Sequence, residues 1–485
     1  MSIWSSLGRS FKRFQEYCII EMCGIAGISL DGCSSDLIPN LIRMLISLQH
    51  RGQESAGISC LSNGELCTFK NFGMVVDALR AVEVKSYSSG IGHVRYSTSG
   101  SKKNFDEIQP MTFKVNGLNF SLAFNGNVVN HYIVRREFLK DYKFRTNTDT
   151  ETIGALIVKL YREYKDMVEV LKECIDILDG AFSILLLTSE GTMYVIRDVL
   201  GFKPLCYAYI DNGIAFASES AALDILEGYE LQDVKPGEVL VVHRGEIVER
   251  TCINGIGRRA FCMFEFVYFA RPDSIIEGRL VHNVRKELGR RLYRLAPTRA
   301  DLVVPVPDSG KSIALGYAEE SGISFEEAIM KNRYVGRSFI MPDEKTRIET
   351  INLKFNIVEK LVRDKDIILI DDSIVRGSTL RKLVPKMKSK GARKVHVRIG
   401  CPPIIKPCFM GIDFPTSREL IASDRSVEKV REIINADSLI YNTIKNLCES
   451  IGYSENELCL ACLTGKYPLK FKYAEEELEK IFGSR

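Results

Sequence analysis

Three groups of side chains in this 485-residue sequence have the types and spacing that covalent or ionic chemistry requires. The first is Cys23, which follows Met22 and opens the string Cys23-Gly24-Ile25-Ala26-Gly27. A thiol is a poor nucleophile until a base takes its proton, and a free α-amine, titrating near ~7.7–8.0, is such a base. Cleavage after Met22 would therefore place nucleophile and base on one residue. Left internal, Cys23 is a small buried strand hydrophobe. The second group is the acidic pair Asp371-Asp372 at the end of an apolar run, followed by Arg376-Gly377-Ser378-Thr379. Carboxylates at the carboxyl end of a strand can hold a ribose diol and a hydrated Mg²⁺, and a Gly/Ser/Thr loop entering a helix can cradle phosphate. The third is the pair Cys459 and Cys462, a CxxC whose spacing suits zinc, thiol exchange or an iron–sulfur cluster and does not choose among them.

These groups need two kinds of scaffold. From Cys23 to about residue 250 the sequence alternates short β-like runs with Gly and Asn, and helical periodicity is confined to 36–48 and 150–178. That pattern predicts a sheet-dominated α+β domain. From about 280 onward strands alternate with helices (DLVVPVP, a helix through 312–321, DIILID, a helix after Ser378, KVHVRIG), which predicts an α/β domain on a parallel sheet. The Gly- and Arg-rich stretch 251–262 is the expected linker. The units are then 1–22, a leader or sequence upstream of a true start at Met22; 23–255; and 256–485, ending in a charged helical tail.

Composition narrows the function classes. Hydrophobic residues make 45% and charged residues 26%, an ordinary globular balance, and the formal net charge of +4 is too small for a dedicated nucleic-acid binder. No apolar run approaches about 18 residues, and Arg9, Lys12, Arg13 and Glu16 interrupt the first 22, so neither a membrane span nor a secretory signal is expected. A reducing, cytoplasmic setting follows, in which the 14 cysteines are thiols or metal ligands and not a disulfide framework.

Four further strings, HRGQESAGI (50–58), GIGHVRYSTSG (90–100), FNGNV (124–128) and NTDTE (147–151), stand in the order seen in the amino-terminal-nucleophile glutamine amidotransferases, which the first half resembles. Glutamine carries a carboxylate, an ammonium and an amide, so its hydrolysis calls for a guanidinium, a carboxylate and oxyanion donors around a nucleophile. The resemblance implies that Arg95 holds the carboxylate and Asp149 the ammonium. It further implies that Asn125 (side-chain amide) and Gly126 (backbone N–H) form the oxyanion hole, and that Arg51, with the Gly52 turn, orders the pocket among the substrate contacts. It leaves His93 a supporting residue, because the α-amine already serves as base.

In the second half, DIILIDDSIVRGST (366–379) resembles the phosphoribosyl-diphosphate motif of type I phosphoribosyltransferases. VPVPDSG (304–310) resembles their diphosphate turn, and KNRYVGRSFI (331–340) resembles the closing loop of the glutamine phosphoribosyl-diphosphate amidotransferases. The resemblance implies substrate contacts from Lys331, Arg337, Arg376, Gly377, Ser378 and Thr379, with Mg²⁺ held by Ser309, Asp371 and Asp372. Cys262 in FCMFEFVYFARPDS and Cys408 in KPCFMGIDFP match the metal-containing branch of that family, whose 4Fe-4S cluster would be ligated by Cys262, Cys408, Cys459 and Cys462. Tetrahedral zinc is the chemical alternative.

The implied function is release of ammonia from glutamine and its transfer to C1 of 5-phosphoribosyl 1-diphosphate, opening purine synthesis. Purine nucleotides would be feedback inhibitors, the assembly would be a homo-dimer or homo-tetramer, and neither nucleic acid nor membrane would be a partner. The alternatives are a regulatory nucleotide-binding protein on a phosphoribosyltransferase fold, or another glutamine amidotransferase. Gly310-Lys311-Ser312 resembles the end of a P-loop, but that motif needs Gly where Pro305 stands.

Overall fold

The computed structural model describes residues 22–96, 104–253, 258–332, 355–412, 414, 416–469 and 478. Successive side chains of a strand point to opposite faces, and in the first domain both faces find apolar partners. Ile25, Ile91, Ala123, Leu185, Leu187 and Phe216 meet between two sheets. On the far side of the first sheet, Ala26, Ile28, Val94 and Ala215 pack on the helix Leu37–Ser47 through Leu37, Leu41, Met44 and Leu45. On the far side of the second, Leu122, Phe124, Ile184 and Leu186 pack on the helices Asp149–Tyr164 and Met167–Ile177. The result is a helix–sheet–sheet–helix sandwich.

The first sheet has seven strands in the order Tyr229–Asp233, Cys206–Ile210, Gly213–Ala217, Gly24–Ser34, Tyr87–Arg95, Ser55–Ser62, Glu65–Phe72. The second has six, in the order Glu246–Cys252, Glu238–His243, Thr192–Arg197, Gly180–Thr188, Leu118–Val128, Met111–Val115. Their pairings are antiparallel, and the register sets Gly24 opposite Val94 and Gly126 opposite Phe182. Cys23 is thereby placed where the central strand of the first sheet begins, beside the carboxyl end of the strand that carries Arg95.

The second domain is a parallel sheet of four strands in the order Leu302–Pro305, Asp366–Asp371, Lys394–Ile399, Ser438–Tyr441. Burial on both faces explains their near-continuous apolar runs. Val303, Ile368 and Ile370 face Leu292, Ile313 and Tyr317 of the helices Val281–Leu295 and Lys311–Ser321. Val304, Leu369, Val395 and Val397 share the opposite core with Leu383, Val384 and Met387 of the helix Leu380–Ser389. The first two helices touch backbone to backbone. A Cβ on Gly289 or Gly316 would come within 1.9 Å of a carbonyl oxygen of the other helix.

The expected linker 251–262 is only partly a linker. Its last two residues, Phe261–Cys262, form a short strand parallel to Leu458–Cys459, so the start of the second half is stitched to its end. A π-helical turn, Glu265–Phe269, follows and is fixed by Arg285, whose Nε and Nη2 donate to the carbonyls of Phe266 and Ala270 at 2.8 Å each. Of the expected charged helical tail over 463–485, residues 463–469 and 478 are described; the short helix Ala461–Thr464 ends within it, 465–469 are not helical, and the remainder lies outside the described residues. Among the described residues no helix is long and apolar enough to cross a membrane.

Candidate active sites

Cys23 is partly buried, and its backbone carbonyl accepts a hydrogen bond from Arg51 Nε at 3.1 Å. Its thiol donates to the Tyr96 carbonyl at 3.4 Å. Burial pushes the thiol up to about 11; the Arg95 guanidinium draws it down, and Asp149 and Glu54 push it up. Arg95 and Asp149 therefore lie within electrostatic reach of the sulfur. The thiol form predominates at neutral pH.

The remaining expected groups come from the second sheet. Asn125 and Gly126 lie on Leu118–Val128, a strand that packs across the first-sheet strands beginning at Gly24 and Tyr87. Asn125 is 1% exposed, and its Nδ2 has no hydrogen-bond acceptor among the described residues. A Cβ on Gly126 would meet the Ala181 carbonyl oxygen at 2.1 Å, which is why glycine stands there. Asp149 opens the helix Asp149–Tyr164, where Thr148 caps the Glu151 N–H and the Asp149 carboxylate accepts from Val128 N at 3.1 Å. Residues 97–103, which include the end of the GIGHVRYSTSG string, lie outside the described residues.

His93 is a joint between the sheets. Its Nε2 is 3.1 Å from the Phe124 carbonyl oxygen, next to Asn125, and burial lowers it to about 3, so the ring is neutral. Arg95 donates to Glu107 at 2.8 Å, a buried partner that sequence reasoning missed. Gly52 is required because a Cβ there would come within 2.6 Å of the Arg95 carbonyl carbon.

Arg51 differs from expectation. It is 2% exposed and spends its guanidinium on Glu219 (2.5 Å) and Glu265 (2.7 and 3.0 Å), besides the Cys23 carbonyl. It faces the scaffold and not a substrate. Glu219 also bonds His50, the Arg271 backbone N–H and the Ser274 hydroxyl. Although burial works against it, His50 and Arg51 hold the Glu219 carboxyl well below the usual carboxylate range. Glu265 belongs to the π-helical turn of the second half, so Arg51 ties the nucleophile's backbone to the other domain. An acidic residue inside the apolar run Phe261–Phe269 was the available signal, since a buried charge needs a partner.

The second candidate site is a cavity of about 410 Å³ outside the carboxyl ends of the parallel strands, within the range of small-ligand pockets. Asp371, Asp372 and the loop to Thr379 line it together with Asp308, Ser309 and Lys331, and the first domain contributes His50 and Gln53. Asp372 accepts from Ser309 at 2.5 Å and from Ser373. Burial and the neighbouring Asp372 push the Asp371 carboxyl well up; burial also raises Asp372, against the pull of Ser309, Ser373 and the buried Arg285. Gly377 has φ +73°, so the loop turns where a side chain would be strained. Lys331 is paired with Asp308 at 2.7 Å. Arg376 pairs with Glu419, and its Nη1 is buried with no hydrogen-bond partner among the described residues. Arg337 lies outside the described residues.

The four cysteines of the third group converge. Cys262 and Cys459 are register partners, Cys462 is on the helix that follows, and Cys408 lies on a loop whose Phe409 carbonyl accepts from Asn127 Nδ2 at 2.7 Å. All four line one enclosed cavity with Phe202, Lys203 and Met410. Burial raises every one of these thiols, Cys262 to about 12. Among the described residues no group of three or more His, Cys, Asp or Glu side chains is arranged to hold a metal ion.

A protein-family profile described as a glutamine amidotransferase domain matches residues 93–225. The chain is 42% identical over 451 residues to an amidophosphoribosyltransferase of Methanothermobacter thermautotrophicus, covering 92% of this chain and 94% of that protein. Identity to the Bacillus subtilis amidophosphoribosyltransferase is 39% over 458 residues, covering 92% and 94% respectively. Among solved structures, the glutamine phosphoribosylpyrophosphate amidotransferase from B. subtilis, complexed with ADP and GMP, matches with a TM-score of 0.86 and 37% identity, over 93% of this chain and 98% of that one. A structure described as the allosteric regulatory enzyme of purine biosynthesis matches with a TM-score of 0.88 and 37% identity, over 95% and 99%.

Proposed function

The chain belongs to the amidophosphoribosyltransferase family, and on that premise we propose how its two halves divide one reaction. The reaction is glutamine-dependent: glutamine is hydrolysed to glutamate and ammonia, and the ammonia displaces pyrophosphate at C1 of 5-phosphoribosyl 1-diphosphate, giving 5-phosphoribosylamine. This is the first step of purine biosynthesis. In our reading Cys23, freed by cleavage after Met22, adds through sulfur to the glutamine amide carbon while its α-amine takes the thiol proton. The high thiol pKa supports this coupling of proton loss to attack. The negative charge that forms on the amide oxygen is received by Asn125 Nδ2 and the Gly126 N–H. The proton then leaves with ammonia, and water hydrolyses the thioester to glutamate. Arg95 binds the glutamine carboxylate, Asp149 its ammonium, and Arg51 holds the Cys23 backbone in place.

The observation that carries this reading is the buried Asn125 Nδ2, a donor with no acceptor among the described residues. In the second half Asp371 and Asp372 bind the ribose, the loop from Arg376 to Thr379 receives phosphate, and Lys331 with Arg337 closes over the diphosphate. Two crowded, buried carboxylates with raised pKa values fit a divalent cation, so Asp371, Asp372 and Ser309 would hold Mg²⁺, which supplies neutralisation of the departing diphosphate. Cys262, Cys408, Cys459 and Cys462 would hold a 4Fe-4S cluster, which supplies a structural crosslink. Four soft ligands lining one cavity fit it, and tetrahedral zinc remains the chemical alternative. Purine nucleotides act as feedback inhibitors of a cytoplasmic homo-oligomer in this reading.

Pyrophosphate release from phosphoribosyl diphosphate with Mg²⁺ tests the division, using either glutamine or ammonia as nitrogen source. Cys23→Ala is expected to abolish the glutamine-dependent rate and to spare the ammonia-dependent one. Joint loss with the fold intact would overturn the two-site scheme.

A further inference from the structure

Lys203 is a buried charge without an evident purpose in either half-reaction. It is 1% exposed, and among the described residues its ammonium makes no ion pair. Its hydrogen bond runs to the thioether of Met22 at 3.4 Å, a weak acceptor. A desolvated ammonium with only such a partner is expensive to keep, and a neutral residue of similar length would fill the same space. Two positions locate what the charge faces. Its Nζ lies 3.3 Å from where a Cβ on Gly411 would stand, and so lies against the loop that carries Cys408. It also lines the cavity shared by Cys262, Cys408, Cys459 and Cys462.

We propose that Lys203 is the counter-cation of the tetra-cysteine centre, a positioning residue whose ammonium balances the net negative charge that a thiolate-ligated cluster brings into the cavity. The inference rests on the cluster reading given above. It explains why the cost of the buried charge is tolerated: the missing carboxylate is replaced by four cysteine sulfurs that are thiolates once they bind iron.

The test uses anaerobically prepared full-length enzyme and the variants Lys203→Met, Lys203→Gln and Lys203→Arg. Iron and labile sulfide are counted per chain, and the cluster's one-electron midpoint potential is measured. Reduction makes the cluster more negative, so loss of the neighbouring cation should disfavour the reduced form by at least about tenfold. That corresponds to a fall of about 59 mV in the Met and Gln variants, with Lys203→Arg near the parent value. A residue that merely fills space would leave the potential where it was. Loss of the cluster from the Met and Gln variants with retention in the Arg variant gives the same support. An unchanged potential in loaded Met or Gln variant overturns the proposal and leaves the cluster standing, as does equal loss of cluster from all three. Parent enzyme with neither iron nor sulfide overturns the cluster and the counter-cation together.

Discussion

Replacing Asn125 by Ala separates a group used at rest from one used only in the transition state. At rest Nδ2 is buried without an acceptor among the described residues, and an unsatisfied buried donor costs about 1–3 kcal/mol. Its removal relieves that cost and leaves a small void between the sheets, two effects of opposite sign, so unfolding stability should change by no more than about 1 kcal/mol. Catalysis should respond very differently. If the amide donates to the tetrahedral oxyanion, its loss should lower the glutamine-dependent kcat by about 10²–10³, equivalent to ~2.7–4 kcal/mol of barrier. KM for glutamine should barely move, because the donor adds nothing to ground-state binding. The assay is glutamate release, run beside ammonia-dependent pyrophosphate release and a thermal melt on the same preparation. A kcat within threefold of the parent, a defect confined to KM, or an equal fall in the ammonia-dependent rate would refute the oxyanion assignment.

Asp371→Asn combined with Asp372→Asn should end phosphoribosylamine formation from either nitrogen source while raising the melting temperature of metal-free protein. The sign follows from folded-state pKa values raised above their unfolded values: that stability is present at low pH and is lost as pH rises through the folded values. A lower melting temperature, or retained synthesis, would count against it. Glu265→Ala leaves Arg51 short of a carboxylate in a dry joint and should cost about 3–5 kcal/mol in urea unfolding, with a parallel loss of glutaminase activity as the Cys23 backbone loosens. A loss below about 1 kcal/mol would show the bridge to be incidental. His93, lowered to about 3 in the folded protein, leaves the unfolded chain holding more protons between roughly pH 3 and 6.5, so stability should fall as pH drops through that window. His93→Gln should flatten that slope, and coincident slopes for parent and variant would dismiss the residue as its source.

Three strands of the parallel domain and the helices Lys311–Ser321 and Leu380–Ser389 were legible because their periodicity is strong, whereas the strand Ser438–Tyr441 and the helix Val281–Leu295 were not named. In the first domain the strands Ser55–Ser62 and Tyr87–Arg95 carry so many small and polar residues that motif, not hydropathy, marked them. Gly57, Gly90 and Gly92 lie where a Cβ would strike a neighbouring side chain or carbonyl, so the composition that hides these strands also lets them pack. Cys23, Asp149 and Asn125 were readable as residue types in order. Arg51 was misplaced among the substrate contacts because its partners, Glu219 and Glu265, are 168 and 214 positions away, and no local pattern reports a pair so distant. Lys203 escaped notice for the same reason. Its surroundings are assembled from Met22, Gly411 and the cysteines, which only the fold brings together.

The parallel pairing of Phe261–Cys262 with Leu458–Cys459 also imposes an order in time. During synthesis the amino-terminal sandwich can close as soon as its own strands have emerged, but Cys262 must then wait for a partner 197 positions further along the chain. At about 5–20 residues per second that wait is roughly 10–40 seconds. Through that interval the cysteine cavity lacks three of its four cysteines until Cys408 is made, and two of them thereafter. A chain that ends before Leu458 therefore has neither the partner strand for Phe261–Cys262 nor the last two cysteines of the cavity.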